Sequence, residues 1–123
     1  METPKIYESQ YQFCLILWEH EPIRAAELVK ICAAQLGWKR TTTYTVIKKL
    51  EERGILRNDD GVISALVTKE QVQIAELDEL MEKTFEGSIP SFLAAFAKRQ
   101  KLTDADLDEM QKMIDALRAG DGQ

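Results

Sequence analysis

One predicted helix carries an outward stripe of side chains that could recognise DNA: Thr41, Tyr44, Thr45 and Lys48. Positions three and four apart share one face of an α-helix, so these side chains lie together. Threonine offers a hydroxyl donor and acceptor and a methyl group that can touch thymine, and tyrosine can reach a phosphate. The other interpretation of the stripe is an ordinary solvated helix face with capping threonines.

Positive charge is concentrated around this stripe, although the whole chain has a net charge of -5. The segment 38–57 contains two acidic residues and six basic ones, namely Lys39, Arg40, Lys48, Lys49, Arg53 and Arg57. Residues 1–69 hold ten basic against nine acidic residues, whereas residues 70–123 hold six against twelve. A local basic footprint suits contact with phosphates. The acidic remainder predicts a different role for the C-terminal part.

The residue types that build catalytic or metal sites do not form a recognisable set. The single histidine, His20, has no partner at metal-ligand spacing. Cys14 and Cys32 lie in apolar helical patterns, which predicts reduced core thiols and leaves a disulfide as the alternative. There is no glycine-rich phosphate loop and no nucleophile elbow. The sequence therefore predicts neither an enzyme nor a bound metal or cofactor.

Three helices are predicted to position the DNA-directed stripe. Apolar residues recur every three or four positions, and Pro22, Gly37 and Gly54 mark the breaks between the periodic segments. The helices are expected at about residues 8–19, at about residues 25–36, and from Thr41 or Thr42 to Arg53. The face of the third helix opposite the stripe is mostly apolar and is predicted to pack on the rest of the domain.

A β-hairpin is predicted after the third helix. The run Asn58-Asp-Asp-Gly61 is typical of a turn, and apolar, partly β-branched residues flank it. Three helices followed by a hairpin predict a mainly α fold, with a winged helix-turn-helix in residues 1–68. Helical periodicity resumes in residues 69–123, which are predicted to form a separate helical region with N-caps at Thr68, Ser88 and Thr103.

Composition and the absence of long apolar stretches bear on location. With 45% hydrophobic and 30% charged residues, the chain has the composition of a globular protein. It contains no run of eighteen apolar residues, and its N-terminus lacks the pattern of a secretory signal. A cytoplasmic location without direct membrane insertion is therefore expected.

The order of several short motifs resembles the penicillinase-repressor family, the BlaI/MecI-like transcriptional regulators. The matching segments are Leu17-Trp18, Ala26-Glu27-Leu28, Thr42 to Leu50, Glu52 to Leu56, Phe85 to Ser88 and Phe92 to Phe96. They span nearly the whole chain, and their order and spacing are specific although no single motif is diagnostic. The resemblance implies a homodimeric repressor whose winged helices bind the two halves of a palindromic operator in double-stranded DNA.

Residues of this chain can be assigned to the two binding roles that the resemblance implies. Those predicted to contact DNA are Lys39, Arg40, Thr41, Thr42, Tyr44, Thr45, Lys48 and Lys49. Those predicted to form the dimer interface are Leu77, Leu80, Met81, Phe92 and Phe96. Apolar helices in so short a region need a partner to bury them, which is why these side chains are chosen.

The resemblance also implies a way of releasing the repressor. In the β-lactam-responsive members, a membrane sensor-protease pathway leads to cleavage just before a phenylalanine in the C-terminal region. The matching bond in this chain is Ala95-Phe96. The other interpretation is that Ala94, Ala95 and Phe96 simply pack in the dimer interface. Both can hold, because cutting an interface helix weakens the dimer.

Three features depart from the family pattern. No cysteine follows Cys32, so the copper-thiolate switch of relatives with paired Cys-x-Cys motifs is not expected. Arg24 stands where the family often has a capping serine or threonine. The predicted wing turn is acidic, so it is expected to contribute little to DNA binding.

The overall acidity of the chain suggests an alternative function, namely a winged-helix module that binds protein and not DNA.

Overall fold

The computed structural model describes residues 3–120, which form six helices and one small antiparallel sheet. In chain order the elements are α1 (Glu8–His20), β1 (Ile23–Arg24), α2 (Ala25–Leu36), α3 (Arg40–Glu52), β2 (Leu56–Asp59), β3 (Val62–Ala65), α4 (Lys69–Phe85), α5 (Ile89–Arg99) and α6 (Asp104–Arg118). The chain separates into two compact units, Met1–Glu79 and Leu80–Gln123, so α4 contributes to both. The predicted domain boundary between residues 68 and 69 stays a prediction.

The first unit is a winged helix built on an apolar core of α1, α2, α3 and the sheet. The predicted helices are confirmed to within two residues at each end, and the bounds of α2 are those that the sequence predicts. Phe13, Leu28, Leu50 and Ile63 are fully buried in this core. Burial of each such side chain contributes about 1.5–3 kcal/mol to stability. The core therefore holds α3 by its inner face.

The turn between α2 and α3 sets where α3 begins. Gly37 ends α2 in the left-handed conformation, at φ +69°, where a side chain would be strained. Trp38 follows, and its ring stacks parallel to that of Phe13 at 6.0 Å between centroids. This contact ties the residue two positions before α3 to α1.

The sheet has three strands in the order β1-β3-β2. Sequence patterning did not predict β1, because a two-residue strand has no periodicity. Its pairing with β3, in the register Ile23 to Ile63, is what defines it. The hairpin was predicted, but its turn is shorter than the sequence suggests. Asn58 and Asp59 belong to β2, and only Asp60 and Gly61 connect the strands.

This turn has the backbone conformation that two-residue hairpins favour. Asp60 and Gly61 both have positive φ, +53° and +87°, as a type I′ turn requires. The Asn58 side-chain Oδ1 accepts a hydrogen bond from the backbone N–H of Gly61 at 2.9 Å. The carbonyl of Gly61 in turn accepts from the N–H of Ala25 at 2.8 Å, which ties the wing to the start of α2.

The capping residues predicted for the last three helices are confirmed. Thr68 and Gln71 exchange backbone and side-chain hydrogen bonds of 2.8 and 3.0 Å at the start of α4. The Ser88 hydroxyl accepts from the N–H of Ser91 at α5. Thr103 and Asp106 form a capping box at α6, and hydrogen bonding from the Thr103 backbone N–H lowers the pKa of the Asp106 carboxyl.

The second unit has little core of its own. Phe85 meets Phe92 edge to face at 5.5 Å, and Phe92 stacks on Phe96 at 6.1 Å. No described residue from Leu80 to Gly120 is fully buried. None of the helices in residues 3–120 combines the length and apolarity needed to cross a membrane.

The two cysteines give a test of the first unit's core. Both are free and buried, and burial raises the pKa of Cys14 to about 12 and that of Cys32 to about 11. Because both pKa values lie well above neutrality, both thiols stay protonated near neutral pH. The thiolate is the reactive form, so neither cysteine is expected to be reactive. We expect neither to react with Ellman's reagent at about pH 8 in the native protein, and both to react in denaturant. Rapid labelling of the native protein would contradict this packing.

Candidate nucleic-acid interface

The helix α3 presents two chemically different faces. Thr43, Ile47 and Leu50 are buried on the inner face. All eight residues predicted to contact DNA are exposed: Lys39, Arg40, Thr41, Thr42, Tyr44, Thr45, Lys48 and Lys49. The structure therefore brings them together on, or immediately before, one solvent-facing helix, where a major groove could reach them.

The threonine hydroxyls on α3 differ in what they have left to offer. Thr45 Oγ1 donates to the carbonyl of Thr41 at 2.8 Å, which leaves its lone pairs free to accept from a base or a water. Thr43 Oγ1 donates to the carbonyl of Lys39 at 3.4 Å and is fully buried. Its hydroxyl therefore bonds the backbone at the start of α3 and is not available to a ligand. The exposed threonines thus fit direct contact with a ligand, whereas Thr43 does not.

An arginine and a tyrosine are paired at the N-terminal end of the exposed face. The guanidinium of Arg40 lies over the ring of Tyr44, 5.5 Å from its centroid. Such cation–π contacts hold the planar group in place without neutralising it. The donors along the edge of the guanidinium keep the fork geometry that suits phosphate or a guanine edge.

The basic residues around α3 separate into two groups. Arg57 Nη2 lies 3.8 Å from Asp59 Oδ2, and Arg53 is engaged with the N-terminal segment. Within residues 3–120 no ion pair or hydrogen bond engages the side chains of Lys48 and Lys49. Counting charges along the sequence placed all six cations in one footprint. Only the structure distinguishes the basic side chains without an ionic partner from those that already have partners.

The wing is acidic at its tip. Asp59 and Asp60 are both exposed beside the turn, and Asp59 is the partner of Arg57. Arg24, in β1, is exposed and pairs through its backbone with Val62; its side chain makes no capping hydrogen bond to α2. The expected minor contribution of the wing to DNA binding stays a prediction.

The residues predicted for the dimer interface lie on two helices with exposed apolar side chains. Leu77, Leu80 and Phe96 are 46%, 41% and 39% exposed, while Met81 and Phe92 are half-buried. Further apolar residues that the sequence analysis did not assign to the interface are also exposed, namely Ile74, Leu93, Leu107, Ile114 and Leu117. Their three- and four-residue spacing along the helices predicts apolar helix faces.

The predicted cleavage bond, Ala95-Phe96, lies inside α5. Ala95 is half-buried, and the carbonyl of Phe96 accepts a hydrogen bond from the N–H of Gln100 at 2.9 Å. The bond is therefore in regular helix and not in an extended loop.

Among the residues that the structure describes, no three His, Cys, Asp or Glu side chains come together as a metal site would need.

Comparisons with known proteins give the family. No curated protein sequence matches the chain. Two solved structures of Lactococcus lactis ZitR, a double mutant and a single mutant, are each 20% identical, with TM-scores of 0.39. They cover 95% and 98% of this chain and 76% and 78% of their own. The family model of the penicillinase repressor matches residues 6–116. With its winged helix and a match over most of its length, the chain belongs to the penicillinase repressor family.

Proposed function

We propose that this protein is a homodimeric transcriptional repressor that binds a palindromic operator in double-stranded DNA. The observation that carries the proposal is the exposed face of α3, where hydroxyl groups lie among cations without ionic partners. In this function the exposed threonines and Tyr44 meet base edges and sugars. Lys39, Arg40, Lys48 and Lys49 neutralise phosphates. A repressor of this kind acts in the cytoplasm.

The exposed apolar residues of α4 and α5 support the dimeric state. Leu80 and Phe96 are exposed in a unit that buries none of its described residues fully. A helical region of this kind becomes stable when a second copy covers its apolar surface. Two-fold symmetry then places two α3 helices on the two halves of a palindrome. The dimer interface contains Leu77, Leu80, Met81, Phe92 and Phe96.

Cleavage at Ala95-Phe96 by a sensor-protease pathway is the release step that this proposal includes. A protease binds its substrate in an extended form, so α5 has to open locally before the bond can be cut. Because Phe96 is assigned to the interface, the cut separates it from the other assigned interface residues and interrupts α5, which weakens the dimer. The interface role and the cleavage role of these residues are therefore compatible.

A gel-retardation titration with the DNA upstream of the protein's own gene tests the function. The four cations without ionic partners within residues 3–120, Lys39, Arg40, Lys48 and Lys49, give about eight phosphate contacts in a dimer. The logarithm of the affinity should therefore fall with the logarithm of the salt concentration at a slope of about -7. Affinity should drop by about 10³- to 10⁵-fold between roughly 50 and 200 mM salt. Absence of retardation, or retardation that does not respond to salt, would contradict the proposal. That result would favour a protein-binding module.

A further inference from the structure

The N-terminal segment Pro4–Tyr7, here the N-terminal strap, lies against the C-terminal end of α3. Arg53, the C-cap residue of α3, makes two contacts with the strap and one with the start of α1. Its guanidinium donates to the backbone carbonyl of Lys5 and, at 3.1 Å, to the side chain of Gln10. It also lies over the ring of Tyr7, 5.1 Å from the centroid.

The strap is held at further points. Ile6 is buried in the core of the first unit. The ammonium group of Lys5 lies 5.8 Å from the centroid of Tyr7, and it also pairs with Glu79 Oε1 at 3.8 Å. The strap thereby connects the end of α3 to α4. Among these residues, Arg53 is the one at the C-cap of α3.

These contacts change what Arg53 can do. A free arginine presents five N–H donors, but here two directions are taken by Gln10 and the Lys5 carbonyl, and one ring face by Tyr7. The residue is half-buried, whereas Lys48 and Lys49 are exposed. A phosphate at Arg53 would have to share the guanidinium with these partners, but it could reach the two exposed lysines directly.

We propose that Arg53 is a positioning residue for DNA binding: through the strap it orders the C-terminal end of α3, and it does not contact phosphate. The inference rests on the proposed operator binding. A helix end that is already ordered costs less conformational entropy when it docks, so the strap raises affinity without adding an ionic contact. Removal of the strap should therefore weaken binding while the number of released counterions stays the same.

Salt-dependent operator titrations of full-length variants test the inference. Arg53→Gln should weaken binding about tenfold at a fixed salt concentration, because two hydrogen bonds and a cation–π interaction are removed. Its slope of log affinity against log salt should match that of the wild type. Lys48→Ala in parallel should lower the slope by about 0.9 for each phosphate that is no longer neutralised. The difference in slope separates a positioning role from direct binding to phosphate.

Tyr7 supplies a matched pair of variants that leaves Arg53 in place. Its side chain is 56% exposed, so truncation removes little from the core. Tyr7→Ala should weaken binding roughly two- to fivefold at an unchanged slope, whereas Tyr7→Phe, which keeps the ring, should bind like the wild type. This pair decides the question if Arg53→Gln does not fold.

Three outcomes would contradict the proposed role of Arg53 and the strap in DNA binding. A lowered salt slope in Arg53→Gln would assign Arg53 to phosphate. Unchanged affinity in Tyr7→Ala, or failure of Tyr7→Phe to restore it, would remove the strap from DNA binding. All three results leave operator binding by the wild type intact. Failure of the wild type to bind in a salt-sensitive manner is the separate result that removes the proposed function and this inference with it.

Discussion

Replacing Lys48 and Lys49 together by glutamate is expected to reduce operator affinity by about 10³-fold at moderate salt. In a dimer the double substitution removes four cations from the α3 faces and adds four anions facing phosphates. Both lysines are exposed and make no ion pair within the described chain, so their replacement leaves no buried charge unpaired. The thermal midpoint of unfolding should change little, because surface substitutions of this kind usually shift stability by less than about 0.5 kcal/mol.

The control must change net charge equally without touching α3. Lys69→Glu with Lys112→Glu meets this need, because both residues are exposed and lie on α4 and α6. The pair between Lys112 and Glu109 spans 4.0 Å at the surface and contributes about 0–1 kcal/mol. Fluorescence anisotropy with labelled operator measures both variants. An equal decrease in affinity in the two variants would point to overall charge as the cause. Wild-type affinity in both variants would point away from α3 as the DNA-binding helix.

Phe96→Asp is expected to convert the dimer to a monomer and to lower operator affinity by about 10²- to 10⁴-fold. A carboxylate cannot be buried without a partner, so it opposes the apolar contact assigned to this position. Each protomer then binds a half-site alone and loses the advantage of tethered binding. Within the protomer, Phe96 stacks on Phe92 at 6.1 Å, so the monomer fold should be destabilised by about 0.5–1.5 kcal/mol.

Lys98→Ala is the matched control for Phe96→Asp. It lies on the same helix, it is exposed, and it changes net charge by the same amount. Residues two apart lie on nearly opposite sides of a helix, so Lys98 is away from the assigned contact. Sedimentation velocity over a range of protein concentrations gives the oligomeric state of each. A Phe96→Asp dimer with wild-type affinity would exclude α5 from the interface.

Most of the candidate site could be predicted from the sequence because its geometry is local. A period of 3.6 residues determines which side of α3 carries Thr41, Thr45 and Lys48, once the apolar positions Ile47 and Leu50 are known to face inward. That period accounts for the exposed face of α3, whereas Lys39 lies immediately before the helix. Their contact with DNA, and the dimer contacts of α4 and α5, stay predictions.

Patterns within short segments determined the helices, their caps and the hairpin, since these depend on residues only a few positions apart. Thr68, Ser88 and Thr103 cap helices through bonds to the third following residue, which the sequence displays directly. Charge density around α3 is likewise visible in the sequence. The sequence alone therefore determined the winged-helix class and predicted the helix that is proposed to bind DNA.

Only the tertiary structure decided which cations are available and which are already engaged. Arg53 meets Gln10, forty-three positions earlier, and the β1 strand exists because Ile23 meets Ile63. Neither contact has a local signal, since each depends on how distant segments pack around the core. Local periodicity placed a basic helix at the surface. Packing then left Lys48 and Lys49 without ionic partners in the described chain and bound Arg53 to the strap.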